Sequence, residues 1–529
     1  MRRAGLKLTG QLFCRPKHEV CGSSPCIFRK MLYRSGISFK KMSIQVETSF
    51  RKMSYIRCYT FKKWYTDLEI NVSVRFRSNK RVSDAAKNRR GVVRIAARRK
   101  GMKRFLMDAL VKWKNKSNRK PLVLKGARQT GKTWLMKEFG RRYFQSVVYI
   151  NFDMSTRMKK VFDGDFQIDR ILLALNAETG VRIEPEKTLI IFDEIQEAPR
   201  AIEALKYFCE NAPEYPVIAA GSLLGIAIHM GISFPVGKVQ ILQLYPMSFR
   251  EFLLAIGEKE LEKLIDVRDY ETMRLFRDKY QNLLRYYYYV GGMPEAVEDF
   301  TLNHDFSSVR DIQNSILELY ENDFGKHIEK KELERLRMIW HAIPMQLAKE
   351  NKKFFFGQIK KGARSSTYEI AIRWLEDCGL IHRVYRVTKP AIPLSAYKEL
   401  NVFKIYLLDV GLLGAMSGLS SQAIIDGSTV FTEFKGALTE QYVLQQFLSD
   451  TEYVPYYFSP SEHNEIDFVV QRATDIVPVE VKAEENLHAK SLKAYCDKYK
   501  PALAVRTSMT DYREQDWMVN LPLYAIHNL

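Results

Sequence analysis

The segment GARQTGKT, Gly126 to Thr133, stands directly after the apolar run Pro121-Leu122-Val123-Leu124. It meets the spacing G-x-x-x-x-G-K-[ST] and leads into a helix-compatible stretch, Trp134 to Arg142. Strand, glycine-rich loop and helix in that order is the context of a phosphate-binding loop. Such a loop implies a parallel α/β sheet with ligand at the carboxyl ends of its strands. Amides of Gly126, Ala127, Arg128, Gln129, Thr130 and Gly131, aligned with the next helix N-terminus, form an anion cradle. Lys132 is expected at the β- and γ-phosphates and the Thr133 hydroxyl at Mg²⁺, so ATP and Mg²⁺ are the expected cofactors.

A second segment supplies carboxylates. Thr188 to Phe192 reads as a buried parallel strand that ends in Asp193-Glu194. Charges at the end of a buried strand have no packing rationale, because an unpaired buried charge is costly. Beside a phosphate loop, Asp193 would hold Mg²⁺ and Glu194 would orient or deprotonate the attacking water. A third strand, Val217 to Ala220, runs into Gly221-Ser222. Ser222 is a candidate γ-phosphate sensor, although Gly-Ser is also ordinary turn chemistry.

The net charge of +22 suggests nucleic acid or an anionic membrane as partner. Its distribution removes that inference. Residues 1–100 hold 26 of the 83 lysines and arginines but 5 of the 61 acids, which leaves 57 basic and 56 acidic residues for the remainder. Residues 1–101 form a basic leader, read as disordered. It is read as an over-extended start before Met102, with an organelle-type targeting segment as the alternative. Cys14, Cys21, Cys26 and Cys58 lie in it at spacings that fit no zinc template. Cys209, Cys378 and Cys496 are scattered, which suits a reducing cytoplasm. No run approaches the ~20 apolar residues of a membrane span, so no membrane partner is expected.

Four regions follow. Residues 102–235 alternate strands and helices, as an ATPase domain does. Residues 236–325 read as a helical lid, with segments Phe249 to Ile256 and Tyr270 to Tyr289, broken at Val290-Gly291-Gly292-Met293-Pro294. The tyrosines 286–289 cover every side of a helix and read as core rather than as a base-stacking platform. Residues 326–415 read as a winged helix: a helix to Leu347, a second from Ser366 with Glu369 as its capping box, then a strand, Leu380 to Val387. Lys360, Lys361 and Arg364 precede the second helix, which makes DNA a candidate partner.

Residues 416–529 carry a second set of chemistry. Glu440 sits in the middle of the apolar stripe Val443, Leu444 and Phe447 on a helix spanning Phe434 to Leu448, where a carboxylate needs a partner, a metal or a site. In the strand Glu465 to Val470, Ile466, Phe468 and Val470 are expected on one face and Asp467 on the other. In Val477 to Lys482 the valines share a face, which places Glu480 and Lys482 together opposite. The carboxylates would hold Mg²⁺, Asp467 and Glu480 foremost, and Lys482 would orient a water or balance charge. Amphipathic strands with solvated charges are the alternative.

The order GARQTGKT, LIIFDEIQ, AAGS, LYPMSFREFL, YYYVGGMPEAV resembles prokaryotic AAA-type ATPases that carry a C-terminal restriction-endonuclease-like domain. The tail, GALTEQYVL, NEIDFVV and VPVEVK, is similar to the PD-(D/E)xK nuclease pattern. The resemblance spans residues 102–529. It implies an α/β P-loop ATPase domain with a helical lid, a winged helix and an α/β nuclease-like domain. It assigns phosphate and Mg²⁺ binding to Lys132 and Thr133, the acidic motif to Asp193 and Glu194, and the nuclease positions to Glu440, Asp467, Glu480 and Lys482. Arg250 and Arg285 are the candidates for an arginine finger, which leaves a homo-oligomer open. The expected function is an ATPase whose nucleotide state controls the nuclease-like domain, acting on DNA; the alternative is a regulatory ATP switch whose tail binds a partner without cleavage.

Overall fold

The computed structural model describes residues 45–46, 72–73, 102–222, 234–325, 328, 330–349, 352–422, 432–461, 464–483 and 489–529. The chain divides into two units, residues 1–101 and 102–529. In the first, β1 (Gln45–Val46) pairs antiparallel with β2 (Val72–Ser73). The expectations for the leader and its four cysteines otherwise lie outside the described residues.

The second unit begins with helix α1 (Leu106–Lys114), which buries Met107, Leu110 and Trp113. Five strands then build a parallel sheet: β3 (Leu122–Lys125), β4 (Ser146–Asn151), β5 (Thr188–Asp193), β6 (Val217–Gly221) and β7 (Gln240–Gln243), in the order β4-β5-β6-β3-β7. Every residue of β5 and β6 is buried, as a central parallel strand requires. Helices α2 (Lys132–Tyr143), α3 (Thr156–Asp163), α4 (Ile168–Thr179) and α5 (Pro199–Asn211) make the connections. The order puts β6 between the loop strand β3 and the carboxylate strand β5. Ser222, just past the end of β6, thereby reaches Glu194, to which its hydroxyl donates at 3.3 Å.

The ATPase boundary expected at 235 is too early, because β7 pairs with β3 in register Leu122 to Gln240. The helical region follows as α6 (Phe249–Ala255), α7 (Lys259–Asp266), α8 (Tyr270–Leu275), α9 (Arg277–Val290), α10 (Pro294–Asn303) and α11 (Phe306–Phe324). The segment expected as one helix from Tyr270 is thus two, divided at Phe276. Tyr287, Tyr288 and Tyr289 are buried; the first two pack against Tyr442 and the third against Phe306. Glycine is required at 292, because a Cβ there would meet the Met247 carbonyl oxygen at 2.1 Å. That close approach lets Met247 N donate to Gly292 O at 2.7 Å and Gly292 N donate to Asp409 Oδ2 at 2.6 Å.

Helices α12 (Lys330–Leu347), α13 (Phe356–Ile359) and α14 (Ser365–Asp377) occupy the segment read as a winged helix, followed by a β8–β9 hairpin (Ile381–Val387, Lys398–Leu407). The hairpin is not a free wing. β8 pairs in parallel with β10 (Tyr456–Ser461), so it belongs to an eight-stranded mixed sheet with β11 (Asn464–Arg472), β12 (Asp475–Val481), β13 (Val505–Ser508), β14 (Arg513–Gln515) and β15 (Met518–Pro522). The expected division at 415 therefore cuts through one sheet. Nor does the Ser366–Glu369 capping box form: α14 starts at Ser365 with no side-chain cap, and Glu369 instead accepts from Arg383 at 3.0 Å. The sheet is covered by α15 (Val410–Met416), α16 (Thr432–Asp450) and α17 (Lys490–Tyr499). Among the described residues no helix is long and apolar enough to cross a membrane.

Candidate functional site

The phosphate loop is shaped by its own backbone and by a distant arginine. Gly126 must lack a Cβ, since one would meet the Leu244 carbonyl oxygen at 2.4 Å. Arg104, buried and unforeseen in the sequence, donates Nη1 to Thr130 O at 2.8 Å, Nη2 to Tyr245 O at 2.6 Å and Nε to Glu251 Oε2 at 2.9 Å. Glu251 also closes a capping box with Ser248 at the start of α6. Arg104 thus fastens the loop to the first turn of that helix.

Lys132 opens α2, and its ammonium rests on the carbonyls of Gly126 and Ala127, at 2.8 Å each. The Thr133 hydroxyl donates to Asp193 Oδ2 at 2.7 Å, and the Tyr149 hydroxyl donates to the same oxygen at 2.9 Å. A hydroxyl and a carboxylate side by side are the hard oxygen donors that suit Mg²⁺. Glu194 follows in a left-handed conformation, φ 51°, rare for a residue with a side chain and concentrated at functional sites. Its Oε2 accepts from Gln196 at 2.6 Å and from Ser222 at 3.3 Å. Ser222 also accepts from Arg128 Nε at 3.2 Å. Gly126 to Thr133, Asp193, Glu194 and Ser222 therefore lie together at the carboxyl ends of β3, β5 and β6.

Burial pushes the Lys132 pKa down to about 8; Glu194 and Asp193 oppose the shift and Arg128 adds to it. A bound phosphate favours the charged form, so ATP binding takes up a proton wherever free Lys132 is neutral. ATP affinity should weaken about tenfold between pH 7 and pH 9, as free Lys132 loses its proton. Titration calorimetry across that range checks this, and an affinity unchanged at pH 9 would contradict it.

The arginine-finger candidates are both engaged within the chain. Arg250 pairs with Glu262 at 2.5 Å and with Asp266, and it lies 4.7 Å from the centre of the Phe105 ring. Arg285 donates to Asn282 on its own helix at 3.1 Å.

The second cluster gathers on β9, β11, β12 and α16. Glu440 is 4% exposed. Its carboxylate takes an ion pair from Lys352, a hydrogen bond from the Tyr406 hydroxyl at 2.9 Å and Lys404 at 3.6 Å. Lys404, fully buried, also pairs with Glu465 at 2.5 Å. Burial works against the Glu440 charge, but Lys352 and Lys404 outweigh it and hold its pKa at about 2. Burial, then Glu440 and Glu480, push Asp467 well above the usual carboxylate range.

Asp467 reaches this cluster through a bulge. Tyr456 faces Val469 but Phe458 faces Ile466, so β11 holds an extra residue there. Ile466 consequently packs with Phe458 and Val469, on the opposite side from Phe468 and Val470, contrary to simple alternation. The Asp467 carboxylate accepts the Val481 amide at 2.7 Å, just past the last paired residues, Phe468 and Val479. Glu480 pairs with Lys482 at 2.7 Å, while its Oε2 is buried with no hydrogen-bond partner among the described residues.

Glu440, Asp467, Glu480 and Lys482 are thus brought close enough to act on one another's charge. Among the described residues no group of three or more His, Cys, Asp or Glu side chains is arranged to hold a metal. Lysines 352 and 404 engage Glu440, which leaves Asp467 and Glu480 as the two carboxylates of the cluster not paired with them.

Residues 118–253 match the family described as an AAA domain. The chain carries an AAA-type P-loop ATPase domain. Residues 281–423 and 435–526 match two families described as domains of unknown function, DUF8612 and DUF4143. No curated protein sequence matches the chain. Among solved structures, the Walker-type ATPase PABY2304 of Pyrococcus abyssi aligns at 15% identity and TM-score 0.39, over 60% of this chain and 96% of its own. The Aeropyrum pernix ORC1 protein in complex with DNA aligns at 12% identity and TM-score 0.25, over 59% and 90%. AMPPCP-bound DnaA of Aquifex aeolicus aligns at 14% and 0.22, over 51% and 86%. Scores this low do not establish a shared overall fold.

Proposed function

We propose that the chain is a Mg²⁺-dependent ATPase whose nucleotide state controls the C-terminal acidic cluster, a nuclease-like site acting on DNA. The observation that carries the ATPase reading is the contact between the Thr133 hydroxyl and Asp193, with Lys132 and Glu194 beside it. Thr133 and Asp193 would hold Mg²⁺, which supplies charge neutralisation at the phosphates. Glu194 takes a proton from water as the water oxygen bonds to the γ-phosphorus. The bond from that phosphorus to the ADP oxygen breaks, giving ADP and phosphate.

Control of the tail is supported by a line of direct bonds. Arg104 joins Thr130 of the loop to Glu251 of α6. The Phe249 amide, in the first turn of α6, donates to Gln446 of α16 at 2.8 Å. On the same helix Gln445 accepts the Val410 amide at 2.9 Å and donates to the Tyr287 hydroxyl at 3.0 Å. Glu440 lies fewer than two turns away on α16.

At the tail, Asp467 and Glu480 would hold a divalent cation, which would polarise a scissile phosphate. Glu480 Oε2, without a hydrogen-bond partner among the described residues, fits that role; the lysine-bound Glu440 does not. Lys482 would balance charge. Exposed Lys360, Lys361 and Arg364 offer phosphate contacts ahead of α14. A cytoplasmic location completes the proposal.

The full chain should hydrolyse ATP with Mg²⁺ and cleave DNA at a rate that differs between ATP and ADP. Asp467→Ala and Glu480→Ala should abolish cleavage and leave ATP hydrolysis within about twofold, since additivity holds for distant sites. Lys482→Ala should slow cleavage and spare metal binding. The second reading, a switch whose tail binds without cutting, is favoured by the lysines on Glu440. DNA binding without cleavage in Mg²⁺ or Mn²⁺ would select it.

A further inference from the structure

Arg128 is the third residue of GARQTGKT, and its side chain is a second cation in the phosphate loop. It is followed by Gln129 in a left-handed conformation, φ 64°. The guanidinium ends among three groups. Nε donates to Ser222 Oγ at 3.2 Å, Ser222 donates on to Glu194 Oε2 at 3.3 Å, and Nη1 pairs with Asp323 on α11. Arg128 is therefore one hydroxyl removed from the carboxylate assigned to the attacking water. A γ-phosphate lying between Lys132 and Glu194 would adjoin it.

Two features set Arg128 apart from a surface ion pair. Its side chain is 35% exposed, open to an incoming ligand, while Asp323 is 10% exposed. Helix α11 also grips the same residue by its backbone, since the Tyr320 hydroxyl donates to Arg128 O at 2.8 Å. The helix thus holds this one loop residue at both ends. Phosphate oxygens match the guanidinium fork as a carboxylate does and carry more charge. Asp323 stands where a competing anion would.

We propose that Arg128 is a catalytic cation supplied by the same chain: on ATP binding its guanidinium exchanges Asp323 for γ-phosphate oxygens, while the Tyr320 bond to its backbone keeps the residue in place. This rests on the ATPase reading. It removes the need for an arginine from a neighbouring copy. During hydrolysis the guanidinium neutralises charge on the γ-phosphoryl oxygens while Glu194 accepts the proton of water and ADP departs.

The test uses the full chain with Mg²⁺-ATP and measures turnover, ATP affinity and thermal unfolding in parallel. Arg128→Ala should lower kcat by about a hundredfold or more with ATP affinity within a few fold. Arg128→Lys keeps the charge and the fold, yet should still lose about tenfold or more, because an ammonium lacks the fork. Asp323→Asn should keep or raise kcat, since it frees the arginine. Wild-type turnover in Arg128→Ala would overturn the proposal. So would an Asp323→Asn variant as inactive as Arg128→Ala, which would make the pair structural. Lys132→Ala serves as the control: full turnover in that variant would remove the ATPase reading itself, whereas loss there with full activity in both Arg128 variants would remove only this proposal.

Discussion

Lys132→Ala should lower ATP turnover by about a hundredfold or more, in line with the loss of one preorganised charge at a reacting phosphate. The ammonium is buried and donates to two loop carbonyls, those of Gly126 and Ala127, at 2.8 Å each. Its pKa, held down to about 8 by burial, marks a cation kept desolvated at some cost to the free protein. Groups perturbed in this way cluster at functional sites. Thermal unfolding of the variant should therefore remain close to that of the parent, which separates lost chemistry from lost folding. Near-normal turnover would sink the assignment of the loop.

The largest effect on stability is expected at Lys404. Lys404→Met should destabilise the second unit by about 3–5 kcal/mol, the usual result of leaving buried charge without its partner. Lys404 is fully buried and lies against Glu440 at 3.6 Å and Glu465 at 2.5 Å. Burial disfavours its charge, but Tyr406, Glu440, Glu465 and Asp467 raise its pKa well above the ordinary lysine value. The double variant Lys404→Met with Glu440→Gln should recover part of the loss, because the buried charge on Glu440, then balanced by Lys352 alone, is gone. Denaturant unfolding of the four proteins gives the coupling. Additive losses would mean that Lys404 and Glu440 do not depend on each other.

Features written in local spacing were legible. The phosphate loop, the strand ending at Asp193-Glu194 and the turn at Ser222 each need only a short window, and β3, β5 and β6 fall within a residue or so of the expected limits. Glu440 on an apolar stripe was legible for the same reason. Features set by distant pairing were not. The partners of Glu440, Lys352 and Lys404, come from outside the C-terminal block. One signal for them was present: Lys404 interrupts the apolar run Val402-Phe403-Lys404-Ile405-Tyr406-Leu407, where a buried strand should carry no lone cation. The parallel pairing of β8 with β10 had no local mark, so the expected domain division crossed a sheet. Glu369 had the spacing of a capping box, but Arg383 across the turn was the stronger partner. Arg104 was invisible because its role depends on Glu251, far along the chain.

The central claim is that the cradle formed by Lys132, Thr133, Asp193 and Glu194 hydrolyses ATP. Steady-state phosphate release by the full chain, with Mg²⁺ and with the metal chelated, beside Glu194→Gln, tests it most directly. The account predicts turnover that requires Mg²⁺, and a Glu194→Gln protein that binds ATP and holds it unhydrolysed. Turnover that persists in the chelated sample, or undiminished in Glu194→Gln, would contradict it.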